Sequence, residues 1–415
     1  MDGTRAVERA LTCSAPHLLV QALTSALRQH YGASAVELRL VDYAMRSLQS
    51  VEPPAQGAEP VPVANSPQGR AFGSQEPHAA SDGDDGTTLH LPVTFRGDRM
   101  GVLSVTAPAP SFSVSVRADL RHIGTVLARE ILLAGRETDQ YEIERRAERL
   151  TLAAEMQWLL LPSRSVVKEE FELGAQLEPA YAVFGDGFDW SVSSEHLTVA
   201  VVNGMGQGMD AALLTSLAVT AVRNARRAGL GLADQASLAG EAVYAQHRGS
   251  AHVAMLLLRF TLATGQVEVV DAGSPRLWRL RAGTLTRVGF DAQMPLGMFG
   301  DTHYGTEEMR VEPKDRLLIA SDGVYSAVSP AGEVYGERSL ERAVRRTRML
   351  PPAQVPAALL DALAHHQGES PLSDDAVVLC VDWLGRRRAA GDAADARPWA
   401  LQAERAGSPS AGPAE

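Results

Sequence analysis

At 415 residues the chain is too long for one ordinary core, and two domains with a connector account for its length. Its composition is that of a soluble globular protein, 45% hydrophobic and 21% charged. The formal net charge of -11 argues against a nucleic-acid or anionic-membrane surface, because both need clustered cations.

No stretch approaches the roughly 18 apolar residues needed to cross a bilayer, and Met1–Ala10 lacks the apolar segment of a secretory signal, so a cytoplasmic location is expected. Cys13 and Cys380 offer neither metal-ligand spacing nor a disulfide framework. Leu18, Leu19, Ala22, Leu23 and Leu27 predict a helix over residues 16–31, stopped by Gly32. Val36, Leu38 and Leu40 alternate with Glu37 and Arg39, the period of a half-buried strand. Residues 50–86 are dense in Pro, Gly, Ser and Asp and read as irregular chain with one short strand near Val61–Ala64. Leu89–Phe95 and Val102–Thr106 then read as a strand pair joined by Arg96-Gly97-Asp98-Arg99.

This order of elements, with the wording LHLPVTFRGDRMGVLSV from Leu89 to Val105, resembles a GAF sensor domain over residues 8–134. An unrelated α+β domain of PAS-like type is the alternative. Cys13 precedes the first predicted helix, and His30, His90 and His122 read as surface or satisfied residues, not haem or metal ligands. From Asp119 to Pro162 the pattern is helical, with Gly135 the one expected kink. One stripe holds Ile123, Leu127, Ile131 and Ala134; a second holds Ile143, Ala147, Leu150, Ala154 and Trp158. Residues 135–162 therefore form a helical connector. Its apolar seam fits a homodimer through parallel connector helices, or packing on the connector's own domain. The tail, residues 385–415, is too poor in apolar side chains to offset ordering and is expected to be disordered.

In the second half, aspartates recur beside glycine at the ends of apolar strands. VFGDGFDW carries Asp186 and Asp189; LTVAVVNGMGQGMDAALL ends a strand at Asn203; RLLIASDGVYSA ends one at Asp322-Gly323; SPLSDDAVVLCVDW sets Asp374 and Asp375 before the last strand. Singly, each is usually a turn. Together, carboxylates from several strand ends can converge into an all-oxygen cluster, which suits Mg²⁺ or Mn²⁺ better than zinc.

These motifs, with DAGSP from Asp271, MPLG from Met294 and the introductory EMQWLLLP at Glu155–Pro162, resemble PPM-type (PP2C-like) protein phosphatases of the sporulation and stress-response kind over residues 165–384. The resemblance implies an α+β fold, two antiparallel sheets in a sandwich flanked by helices, with two Mn²⁺ or Mg²⁺ ions at one end. It implies water attack on phosphoserine or phosphothreonine, and a substrate of the anti-sigma-factor-antagonist class. By position, Asp186, Asp322 and Asp374 match metal-binding aspartates that act through metal and water, the Gly204 carbonyl matches a backbone ligand, and Asp375 an acceptor for waters or ligands.

The chain departs from that pattern where it matters most. Asn203 stands in place of the metal-bridging aspartate, Gly206-Gln207-Gly208 in place of Gly-His-Gly, and Ser274 in place of a histidine; Phe184 and Gly187 also differ. An amide is neutral and offers one oxygen, so metal affinity should drop, with one ion held in place of two. Two functions follow: a Mn²⁺- or Mg²⁺-dependent serine/threonine phosphatase governed by its sensor, or a pseudophosphatase that binds a phosphoprotein or regulator without turning it over. A scaffold without ligands is disfavoured, because clustered acids repel without a cation.

Overall fold

Apolar residues that alternate along extended chain build two separate antiparallel sheet systems, and the computed structural model describes them over residues 2–51, 59–81, 86–108, 112–179, 183–368 and 372–386. In the first half, α1 (Asp2–Cys13), α2 (Leu19–Tyr31) and α4 (Val114–Ala134) cover one face of a six-stranded sheet. Its strands are β1 (Ala35–Val41), β2 (Ser47–Ser50), β3 (Val61–Pro62), β4 (His78–Ser81), β5 (Thr87–Phe95) and β6 (Asp98–Ala107), in the order β3-β2-β1-β6-β5-β4. Leu11, Leu23, Leu27, Ile123 and Leu127 meet Leu38, Leu89, Leu91 and Leu103 in that core. On the opposite face α3 (Pro67–Ser74) sets Phe72 over Val41, Leu48 and Val102.

Several expectations are corrected here. Cys13 ends a helix instead of preceding the first one; only Val7 and Leu11 mark the buried side of α1, too sparse a stripe to read. The supposedly irregular residues 50–86 hold α3 and β4 as well as the short strand. Proline and serine there are helix-starting devices: Ser66 accepts from the Gly69 N–H at 2.9 Å, and Pro67 occupies the first turn. Arg39 is buried instead of facing water, held by the Leu48 carbonyl at 3.2 Å and by Glu37 at 2.7 Å. The hairpin turn is only Arg96-Gly97, both with positive φ (52° and 95°), as a twist-matched two-residue turn requires.

The single helix expected from Asp119 to Pro162 is three. After α4 come α5 (Gln140–Glu144) and α6 (Leu152–Leu160), the last restarted by Thr151, whose side chain accepts from the Ala154 N–H at 3.2 Å. Ile123, Leu127 and Ile131 pack on the first sheet and Ala154 and Trp158 enter the second core, while Ile143, Leu152 and Leu159 are exposed.

The second half contains β7 (Ser165–Val167), β8 (Phe171–Glu178), β9 (Asp186–Val192), β10 (His196–Gly204), α7 (Gly208–Arg227), α8 (Leu232–His247), β11 (Val253–Thr261), β12 (Gln266–Ala272), β13 (Arg276–Arg281), β14 (Thr284–Val288), β15 (Glu307–Arg310), β16 (Arg316–Ala320), α9 (Asp322–Tyr325), α10 (Gly336–Arg346), α11 (Val355–Gln367) and β17 (Ala376–Trp383). One sheet runs β15-β12-β11-β10-β9 and the other β14-β13-β16-β17-β8-β7, each antiparallel throughout. Phe171, Phe188, Leu258, Phe260, Ile319, Leu379 and Trp383 fill the space between them. Helices α7 and α8 cover the outside of the first sheet, α10 and α11 the outside of the second. That double covering explains why β10, β11 and β17 are apolar without alternation. The expected disordered tail lies, from residue 387 onward, outside the described residues.

The two halves touch. The Gln176 side chain donates to the Ala44 carbonyl (2.9 Å), Arg46 pairs with Glu178 (3.0 Å), and the Tyr43 and Trp158 rings lie 5.1 Å apart.

Trp383 is 2% exposed and stacks on Phe260 at 5.9 Å. Trp383→Ala should cost about 3–5 kcal/mol, seen as a lower urea midpoint at unchanged slope for the unfolding step that reports the sandwich. A loss under about 1 kcal/mol would mean that the two sheets do not depend on this contact.

Candidate active site

Each sheet of the sandwich delivers acids to the same end. From the first sheet, β9 starts at Asp186, which pairs directly across the ladder with Asn203 near the end of β10. From the second, β16 ends at Ala320 and Asp322 opens α9 two residues later, while Asp374 and Asp375 lead into β17. The Ser321 N–H donates to the Val377 carbonyl (3.1 Å) and the Val377 N–H to the Ser321 hydroxyl (2.9 Å), locking these two strand ends in register. Gly323 is required there: a methyl group on it would lie 1.9 Å from the Asp375 carbonyl oxygen.

Asp375 joins the two sheets. Its Oδ2 accepts from the Gln157 side-chain amide (2.7 Å) and from the backbone N–H groups of Phe184 (2.8 Å), Gly185 (3.0 Å) and Asp186 (3.4 Å). Gly185, at φ 88°, turns the chain, and its carbonyl accepts from the Gly204 N–H (3.2 Å) and the Thr215 hydroxyl (2.5 Å). Gly204 has no room for a side chain, since a Cβ would sit 2.3 Å from the Thr215 hydroxyl oxygen. Gln157, on α6, also donates to the Asp186 carbonyl at 2.7 Å.

Asp186 is fully buried and neither of its carboxylate oxygens has a hydrogen-bond partner. Burial holds its pKa well above the usual carboxylate range. The nearby Ser321 hydroxyl offsets part of this without reaching hydrogen-bond geometry, and Asp375, Asp322 and Asp374 push it up further. Asp374 is pushed up to about 6, first by burial and then by Asp322, although it accepts from the Asp375 N–H at 2.8 Å. The Asn203 amide donates to Oδ1 of Asp322.

Asp186, Asn203, Gly204, Asp322, Asp374 and Asp375 share one end of the sandwich; Asp189 does not, being ion-paired with Arg223 (2.8 Å) and Arg226 (2.9 Å). Gln207 is exposed between Gly206 and Gly208, both of positive φ. Gln157 and Ser321 escaped notice as site residues. Gln157 is 2% exposed on α6, and nothing in the phrase EMQWLLLP marks it from its neighbour Glu155.

The donor set can be tested against a metal. Among the described residues, no three Asp, Glu, His or Cys side chains already close on one point. A cation would have to draw the carboxylates in, and the unpartnered oxygens of buried Asp186 are free to respond. Asp186, Asp322 and Asp374 would have to close together to hold one hard divalent ion. They do not fit a bridged pair, because the residue across from Asp186 is an amide whose N–H already engages Asp322.

Two antiparallel sheets face to face, with helix pairs on both outer faces and acids at one end, form a PP2C-like fold. Residues 193–384 match the family described as Stage II sporulation protein E (SpoIIE). A segment of 186 residues, 45% of this chain, is 24% identical to phosphoserine phosphatase RsbU of Bacillus subtilis strain 168. It covers 55% of that protein, so the chain spans about half the length of this curated relative. Among solved structures, the SiaA PP2C domain of Pseudomonas aeruginosa matches at 22% identity and a TM-score of 0.49, covering 56% of this chain and 94% of that one. The RsbU and RsbW domains of a Mycobacterium tuberculosis protein match at 21% and 0.48, covering 54% and 63%. No helix among the described residues is long and apolar enough to cross a membrane.

Because Asp374 holds its proton more tightly folded than unfolded, the stability it contributes is present below the ordinary value of 3.8 and is lost as pH rises through about 6, and Asp186 is shifted in the same direction. In chelator-treated protein, urea stability should therefore fall between pH 4 and pH 6 more steeply than in Asp374→Asn. Identical slopes would show that Asp374 titrates normally.

Proposed function

We propose that the carboxyl-terminal domain is a phosphoserine/phosphothreonine protein phosphatase that works with one loosely held divalent cation, Mn²⁺ or Mg²⁺. The observation that carries this reading is buried Asp186, its two oxygens without partners and three further aspartates nearby. Uncompensated acids at such a place cost free energy that a bound cation removes. Asp186, Asp322 and Asp374 would hold the ion, with the Gly204 carbonyl and the Asn203 oxygen as neutral donors. Bound there, the ion supplies a polarised water as nucleophile and stabilises the departing oxygen. Asp375 acts differently. With its Oδ2 committed to three backbone N–H groups and Gln157, it fixes the loop that aims Asp186.

The substrate in this reading is a small phosphoprotein of the anti-sigma-factor-antagonist class, supported by the family resemblance and by the relative RsbU, and the amino-terminal domain is a GAF-like sensor that governs the output. A pseudophosphatase is the second reading. The hydrogen bond from Asn203 to Asp322 favours it, since it satisfies the acid that a second metal would need.

Phosphate release from a phosphorylated anti-sigma-antagonist protein separates the two, with Mn²⁺ binding followed by calorimetry. The unmodified protein should turn over slowly, Asp322→Ala not at all, and Asn203→Asp should bind Mn²⁺ roughly tenfold more tightly for one added charged ligand. Turnover by Asn203→Asp alone would establish the pseudophosphatase.

A further inference from the structure

Where β12 hands over to β13, the chain leaves a cavity of about 210 Å³ walled by Asp271, Ser274, Arg276, Arg287, Phe290 and Tyr325. It adjoins the acidic cluster, because Tyr325 closes the one-turn helix α9 that Asp322 opens. The Tyr325 hydroxyl donates to the Ser274 carbonyl at 2.6 Å and lies 3.3 Å from the Ser274 hydroxyl, so the ring is held at its tip. Over that ring, 3.8 Å from its centroid, sits the Arg276 guanidinium.

Burial pushes the Tyr325 phenol up, the Ser274 hydrogen bond lowers it, Asp322 raises it, and Arg276 and Arg287 lower it. Arg287 acts on Asp271 and is engaged. Arg276 differs: among the described residues it makes no ion pair, and the Tyr325 ring is its partner. A planar guanidinium fixed on an aromatic face keeps its N–H fork directed and loses little freedom on meeting a carboxylate.

We propose that this cavity is a subsite for an acidic side chain flanking the phosphorylated residue of the bound protein, with Arg276 pairing its carboxylate; the proposal rests on the phosphoprotein reading above. The site then has two poles. The acids, with their cation, take the phosphoryl group, and Arg276, beyond Tyr325, takes a neighbouring Glu or Asp. A cavity several times the roughly 30 Å³ that a water occupies leaves room for the methylenes. The acids would repel an anionic segment on their own, so one directed cation beside them would set the direction in which the chain is bound.

The test uses the full chain with Mn²⁺ and fluorescent peptides that carry phosphonomethylalanine, a non-hydrolysable phosphoserine, in an Ala/Gly background, one glutamate being placed at each neighbouring position in turn. Anisotropy should show that glutamate at one position, or two adjacent ones, tightens binding roughly five- to tenfold, as one charge-assisted hydrogen-bonded pair allows. Arg276→Gln should abolish that gain while binding the glutamate-free peptide within about twofold of the unmodified protein, and Arg276→Lys should retain part of it. If the peptides bind but no glutamate helps, or the gain survives in Arg276→Gln, the subsite is wrong and the phosphoprotein reading stands. If no peptide binds, with or without glutamate, both fall.

Discussion

A single carboxylate oxygen, Oδ2 of Asp375, fastens the two sheets at the end where the acids gather. It draws in three consecutive backbone N–H groups, at Phe184, Gly185 and Asp186, and the Gln157 amide from α6. Buried N–H groups left without a partner cost on the order of 1–3 kcal/mol each. The loop before β9 therefore takes its shape from Asp375, and the orientation of Asp186 follows. The same commitment removes Asp375 from the pool of free ligands, which is why four aspartates in sequence amount to three for a cation.

Asn203 then has a physical rationale. A fourth free carboxylate opposite Asp186 would add to the repulsion that, after burial, raises Asp186 and Asp374 above the ordinary range. An amide there removes one charge and, by donating to Asp322, compensates another. Relief of repulsion and weaker attraction for a second ion come from the same substitution. The site is thereby less dependent on metal for its shape than a four-carboxylate site would be.

Much of the sandwich was legible because its strands are long, apolar and punctuated by Asp-Gly and Asn-Gly, as at Asn203-Gly204 and Asp322-Gly323. The convergence of Asp186, Asp322 and Asp374 was legible only through the order of their motifs, since nothing in local spacing brings residues so far apart together. The first half was harder. α1 buries few residues, and α3 begins on a serine and a proline that read equally well as loop. The connector misled because the charges between Arg136 and Arg149 suit a continuous solvated helix, whereas the helix breaks and Thr151 caps a new one. Gln157 was overlooked because a glutamine in a helix carries no sign of what it will meet; only the fold brings Asp375, from the far end of the chain, to within 2.7 Å of it.

Asn203 is followed by glycine, and that pair ages. In Asn-Gly the glycine nitrogen can attack the side-chain amide carbon, expel ammonia and form a ring that water opens to aspartate or isoaspartate. In β10 the nitrogen concerned is engaged, donating to the Gly185 carbonyl at 3.2 Å from within an extended strand. The loop that Asp375 organises thus shields Asn203 from a slow chemical change that would place a carboxylate at the very position where the sequence lacks one. That position 203 stays neutral over the life of the molecule depends on how seldom that strand end opens.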